Sequence, residues 1–118
     1  VVNIPTVETR GLLEAPTTFW SLTPERKAKI CNGGGPKGWG WLVPDTMWGL
    51  SMTDCFDIHD YDYYTKTKKE VADKRMYRNI KAKINNHGGF FRRFRYARAF
   101  LYYQGVSKGG SMFYSFLF

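Results

Sequence analysis

The sequence predicts a mainly α-helical domain built on two antiparallel helices, and three observations predict it. Residues 53–64 set Cys55, Phe56, His59 and Tyr63 at the three- and four-residue spacing of one helical face. Residues 68–85 repeat that period with Val71, Met76 or Tyr77, Ile80 and Ile84. Between them lies only the polar turn Thr65-Lys66-Thr67-Lys68, too short to do anything but return the second helix along the first. With 118 residues, of which 43% are hydrophobic, the chain suits one domain over 1–118 with a small core.

Taken in order, residues 1–23 read as an extended or irregular N-terminal arm. Pro5, Gly11 and Pro16 interrupt them and no helical period is sustained. Leu12, Leu13, Phe19 and Trp20 either drape over the domain or grip a partner. Thr23-Pro24-Glu25 is a helix start, with Thr23 as N-cap and Pro24 in the first turn. That helix reaches only to about Ile30, because Asn32 and three glycines follow.

The stretch Cys31–Gly40, CNGGGPKGWG, strips side chains from Gly33, Gly34 and Gly35. Backbone carbonyls can converge on a hard cation there, or the glycines simply cap the helix ahead of Pro36. A nucleotide-binding loop is excluded, since neither the lysine spacing nor a preceding strand is present. Trp39, Trp41 and Trp48 then fall close together. Indole rings suit a membrane–water interface, but they also fill small cores.

Ser51-Met52-Thr53-Asp54 offers capping chemistry for the first long helix. Its centre, CFDIHDYDY, carries the chemistry. His59 and Tyr63 share a face, and Asp60 is turned from them by about 100°. A histidine can hold a proton near neutral pH, and a carboxylate can hold a hard cation, so one helix can serve both tasks. Asp54, Asp57 and Asp62 read as solvated charges. On the second helix Asp73 is the only aspartate of Glu70–Ile80, and an antiparallel return brings it toward His59. Asn85–Gly89 ends that helix, leaving His87 in a solvent-exposed loop.

Residues 90–104 should form a third helix, basic and aromatic. Phe90, Phe94, Ala97 and Leu101 make one face, with Arg92, Arg93, Arg95 and Arg98 around the rest. Such a helix can lie on an anionic bilayer, bind nucleic-acid phosphates, or pack as an arginine-flanked core helix. Residues 105–118 are a hydrophobic tail, either a short strand packed back or a plug for a partner or membrane.

The net charge of +8 directs the chain to anionic surfaces, and Lys66–Arg98 holds 12 basic against 2 acidic residues. No helix-turn-helix, zinc-finger or oligonucleotide-binding signature accompanies that charge, so nucleic acid is not the expected partner. Two cysteines cannot make a disulfide framework; Cys31 and Cys55 either form one bridge or remain buried thiols. No apolar run reaches the roughly 18 residues of a transmembrane helix, and no secretory signal is evident. The first residue, Val1, fits a processed product.

A glycine-rich loop, then His-Asp-x-x-Tyr, then a helix bearing Ala-Asp-x-x-apolar, in that order over Cys31–Ile80, resembles the phospholipase A2 superfamily. The likeness is to the compact, disulfide-poor domains of phages, bacteria and parvovirus capsids. It implies two antiparallel catalytic helices preceded by a calcium loop, and calcium-dependent hydrolysis of the sn-2 ester of a glycerophospholipid. By the same likeness His59 is the general base, Asp73 fixes its tautomer, and Tyr63 positions Asp73. Carbonyls of Cys31, Gly33 and Gly35 join the Asp60 carboxylate around Ca2+, and a loop N–H such as that of Gly33 is a second oxyanion donor. The secreted enzymes tie the loop region to the histidine helix by a half-cystine, which here would join Cys31 to Cys55. The partner implied is an anionic phospholipid membrane, met by Trp39, Trp41, Trp48, Arg92, Arg93 and Arg95. A virion or other protein assembly could engage the termini, and a secreted or virion-associated setting fits better than a cytoplasmic one. The departures are Tyr61-Asp62 after the His-Asp pair, Gly34 where bacterial relatives often have cysteine, and a long insert between loop and helix. The competing expectation is a catalytically silent scaffold that binds a membrane or protein shell.

Overall fold

A two-residue turn at Gly11-Leu12 folds the start of the described chain back on itself, with Gly11 at φ +61°, the left-handed region that mirror-image hairpin turns require at that place. The structure is a computed structural model and describes residues 6–31 and 46–107. Strands β1 (Val7–Arg10) and β2 (Leu13–Pro16) pair antiparallel, Glu8 opposite Ala15. The expected irregular arm is therefore a hairpin from residue 7 to 16. Its buried side is Leu13, Ala15 and Pro16 of β2, while β1 stays largely exposed.

The hairpin is fixed to the helices through its open edge. Asn79 donates its amide N–H to the Glu14 carbonyl and accepts from the Glu14 N–H, each at 2.9 Å. One side-chain amide thus copies the pairing of a neighbouring strand and satisfies β2's free edge. A 3₁₀ turn at Thr17–Ser21 follows and buries Phe19, and Trp20 Nε1 donates to the Glu8 carbonyl.

Helix α1 (Pro24–Ile30) begins as the sequence requires, with the Thr23 hydroxyl accepting from the Arg26 N–H at 3.2 Å. A second small hairpin, β3 (Thr46–Met47) and β4 (Leu50–Ser51), turns on Trp48 and Gly49, both with positive φ. Helices α2 (Thr53–Tyr64), α3 (Lys69–His87) and α4 (Arg92–Ser107) make up most of the rest. The fold is mainly helical, with two small antiparallel sheets among the described residues.

Paired side chains give the helix directions. Asp54 meets Lys83 and Asp62 meets Arg75, so α2 and α3 run oppositely; Arg92 meets Asn85 and Lys69 meets Val106, so α4 returns along α3. The core between them holds Met52, Cys55, Ile58, Met76, Ile80 and Ile84, none more than 1% exposed.

Three packing expectations are corrected. Val71 is exposed, and Ala72 takes its place inward. Asp62 is fully buried rather than solvated, because Arg75 reaches it. On α4 the buried set is Arg95, Ala99, Tyr102 and Gly105, whereas Phe90, Phe94 and Leu101 face outward and Ala97 is exposed with them. Small residues at 99 and 105 let α4 approach α3 closely, which a phenylalanine face would prevent. His87 is exposed as expected, but as the last residue of α3 instead of in a loop.

Candidate active site

Helix α2 presents His59 and Tyr63 to α3 from successive turns, their ring centroids 4.3 Å apart. Opposite them stands Asp73, whose side chain is 1% exposed. His59 Nε2 lies 2.7 Å from Asp73 Oδ1, and the Tyr63 hydroxyl donates to the same oxygen. Lys69 Nζ reaches the other oxygen, Oδ2, at 2.7 Å.

Burial alone would raise the pKa of Asp73. The hydrogen bonds from His59, Lys69 and Tyr63 outweigh burial and hold this carboxyl below the ordinary carboxylate value. Tyr63 moves the other way: burial first, then the hydrogen bond to the Asp73 carboxylate, push its phenol up, so it stays a donor. An ionised Asp73 accepting from Nε2 fixes the tautomer of a neutral His59, leaving Nδ1 as the nitrogen able to take a proton.

Cys31, the C-cap of α1, is half-buried, and its thiol donates to the Asp57 carbonyl at 3.4 Å. Burial, then the charges of Asp57 and Asp60, push this thiol up to about 11. Gly33 and Gly35, the other expected calcium ligands, lie outside the described residues, as do Trp39, Trp41 and residues 108–118 of the tail. Among the described residues no group of three or more His, Cys, Asp or Glu gathers as a metal site. A site of one carboxylate and several carbonyls would not take that form.

The two cysteines are free thiols, so the Cys31–Cys55 bridge is not present. Cys55 is wholly buried in the core, and burial raises its thiol to about 12. Both thiols are unreactive at neutral pH.

Of the residues expected to meet a membrane, Trp48, Arg92 and Arg93 are exposed. Trp48 stacks on Phe91 at 6.0 Å and lies 5.9 Å from Phe94, with Phe90 beyond them 87% exposed. Arg95 is corrected: it is buried and unavailable to a surface. It donates to the carbonyls of Met47, Trp48 and Gly88, tying α4 to the β3–β4 hairpin. Three carbonyl partners are what allow this charge inside.

Sequence reasoning missed Lys69, whose signal was an i,i+4 spacing to Asp73. It also missed Phe91, which adjoins Phe90 and escapes a search for a single helical face. Comparison with protein-family models, curated proteins and solved structures returns no match.

Proposed function

We propose that the chain is a calcium-dependent phospholipase A2-like hydrolase acting on anionic membranes. The observation that carries the proposal is the convergence of His59 Nε2 and the Tyr63 hydroxyl on one oxygen of buried Asp73. A buried carboxylate held ionised against an imidazole is the kind of perturbed titratable pair that clusters at functional sites. The order of the sequence elements, glycine loop before His-Asp-x-x-Tyr before Ala-Asp, supports the same reading.

His59 Nδ1 takes a proton from water, whose oxygen attacks the carbonyl carbon of the sn-2 ester. Asp73 stabilises the imidazolium that forms and keeps its ring oriented; Tyr63 keeps Asp73 oriented. The C–O bond to glycerol then breaks, and the proton on Nδ1 passes to the departing alkoxide, giving a fatty acid and a lysophospholipid. Asp60, with the carbonyls of Cys31, Gly33 and Gly35, would hold calcium. That ion, when bound, polarises the ester carbonyl and offsets oxyanion charge. No serine or cysteine nucleophile is needed, in keeping with the inert thiols.

The exposed cluster Trp48, Phe90, Phe91 and Phe94, beside Arg92 and Arg93, supports contact with an anionic lipid surface. The test is fatty-acid release from anionic vesicles with calcium or with chelator, for the parent, His59→Gln and Asp73→Asn. Release that needs calcium and falls at least 100-fold in both variants is expected. A folded parent that binds vesicles and calcium yet releases nothing would leave a membrane-binding scaffold.

A further inference from the structure

Of the arginines on α4, Arg98 is the one that continues the exposed aromatic stripe. Phe91, Phe94 and Arg98 follow at intervals of three and four, which is one helical face. Arg95 is turned inward, Arg92 is turned to Asn85 of α3, and Arg93 stands about 100° round the helix from Phe94.

Beside Arg98 a cleft of about 160 Å3 opens, lined also by Thr46, Met47 and Trp48 of the β3–β4 hairpin. Arg95 donates to the carbonyls of Met47 and Trp48, so the helix wall and the hairpin wall of this cleft are joined before any ligand arrives. The Arg98 head group is held from one side. Its Nε donates to the Tyr102 hydroxyl at 3.4 Å, and its guanidinium lies 5.8 Å from the centre of that ring. Tyr102 is itself buried and packs on Phe56. The two terminal nitrogens of Arg98 have no acceptor among the described residues.

A guanidinium anchored at Nε and open at its fork matches two oxygens of a phosphate. The rest of the surroundings are apolar: Trp48 stacks on Phe91 and lies against Phe94. A bare anion would leave that ledge in water. A nucleobase needs an open ring face, and these rings turn theirs partly to one another. A phosphate joined to acyl chains uses both features. We propose that Arg98, with Thr46 and Trp48, seats the phosphate of a single phospholipid whose chains lie along Phe94 and Phe91. The cleft is smaller than the roughly 300 Å3 of an ordinary small-molecule pocket, so it takes the phosphate and leaves the chains outside on the rings. A phosphomonoester, with a charge of about −1.5 to −2 near neutral pH, should be held more tightly than a diester. This seat rests on the membrane contact proposed above and names the lipid group met there; it does not rest on the chemistry of His59 and Asp73.

The experiment titrates the full chain calorimetrically with dihexanoyl phosphatidic acid, below its micelle concentration and in chelator, for the parent, Arg98→Gln, Arg98→Lys and Lys74→Gln. Lys74 is exposed on α3 with no partner among the described residues, so its variant removes the same charge elsewhere. Arg98→Gln should weaken lipid binding by about tenfold or more. Arg98→Lys keeps the charge without the fork and should weaken it by about threefold, whereas Lys74→Gln should change it by less than about twofold. Glycerol phosphate, decanoate and a short single-stranded oligonucleotide should each bind the parent about tenfold more weakly than the lipid does. Unchanged binding in Arg98→Gln, or an equal loss in Lys74→Gln, overturns the seat. Glycerol phosphate bound as tightly as the lipid would make this a free-phosphate site, decanoate as tightly a carboxylate site, and the oligonucleotide as tightly a nucleic-acid contact; each overturns the proposal. Fatty-acid release with calcium is measured on the same proteins. Arg98-dependent binding in a parent that releases nothing keeps the lipid seat and removes the hydrolase reading, and release without Arg98-dependent binding does the reverse.

Discussion

Asp62 and Asp73 are buried aspartates at the same α2–α3 seam, and their surroundings move them in opposite directions. Asp73 has three donors and lies below the ordinary carboxylate value. Asp62 has Arg75 and Thr67, but burial outweighs them and raises it; its Oδ2 is buried without a partner among the described residues. The Arg75 guanidinium in turn is buried against Asp62 and Glu14. Asp62→Ala should therefore destabilise the fold by about 3–5 kcal/mol in urea unfolding, because the buried Arg75 guanidinium loses this carboxylate and keeps only Glu14 at 3.4 Å. Asp62→Leu with Arg75→Met should recover most of that loss, and a single-variant cost under about 1 kcal/mol would contradict the account. Asp73 fixes a pH dependence. Its folded value is depressed, so its stabilisation is complete above the unfolded value of about 4 and is lost as pH falls through the folded one. Acid unfolding of Asp73→Asn should lack that share, giving a flatter stability curve below about pH 4 than the parent gives.

At the scale of elements, the β3–β4 hairpin is built to hold Trp48 out. A bulky residue at φ +47° is strained, and the buried Arg95 clamps both carbonyls flanking the turn's start. Glycine would relax that turn. Trp48→Gly should leave thermal stability close to the parent's while weakening binding to anionic vesicles by about tenfold, read by co-sedimentation, with hydrolysis of dispersed short-chain lipid retained. Helices α1, α2 and α3 were legible because their signals are local: the Thr23-Pro24 start of α1 and apolar residues at three and four in α2 and α3, although α2 starts at Met52 without the side-chain cap that Ser51–Asp54 offered. Helix α4 was legible in extent but not in orientation. Its inward face is set by a charge that three backbone carbonyls neutralise, and those carbonyls come from distant positions no period reveals. The first hairpin was missed for a similar reason, since its strands are four residues long and one edge is satisfied by Asn79, 65 residues away. In the candidate site, His59, Tyr63 and Asp73 could be named from the sequence, whereas Lys69 could not, because half its partnership is with α4.

Across the whole molecule, α4 sets exposed aromatic rings beside exposed arginines. No acidic residue follows Asp73, so the last 45 residues carry only positive charge. The exposed aromatic cluster stands at the start of α4, and the Lys69–Val106 link to the dyad stands at its end, roughly 24 Å away for a 16-residue helix. On the proposed function, the aromatic cluster at one end and the His59–Asp73 pair toward the other would let adhesion and hydrolysis be altered independently. The central claim is that His59 activates water against one particular ester. The most direct measurement is the identity of the acid released from anionic vesicles whose sn-1 and sn-2 chains differ in mass, in calcium and in chelator. The account predicts the sn-2 chain alone, only with calcium, and none from His59→Gln. Release of both chains, release in chelator, or undiminished release from His59→Gln would contradict it.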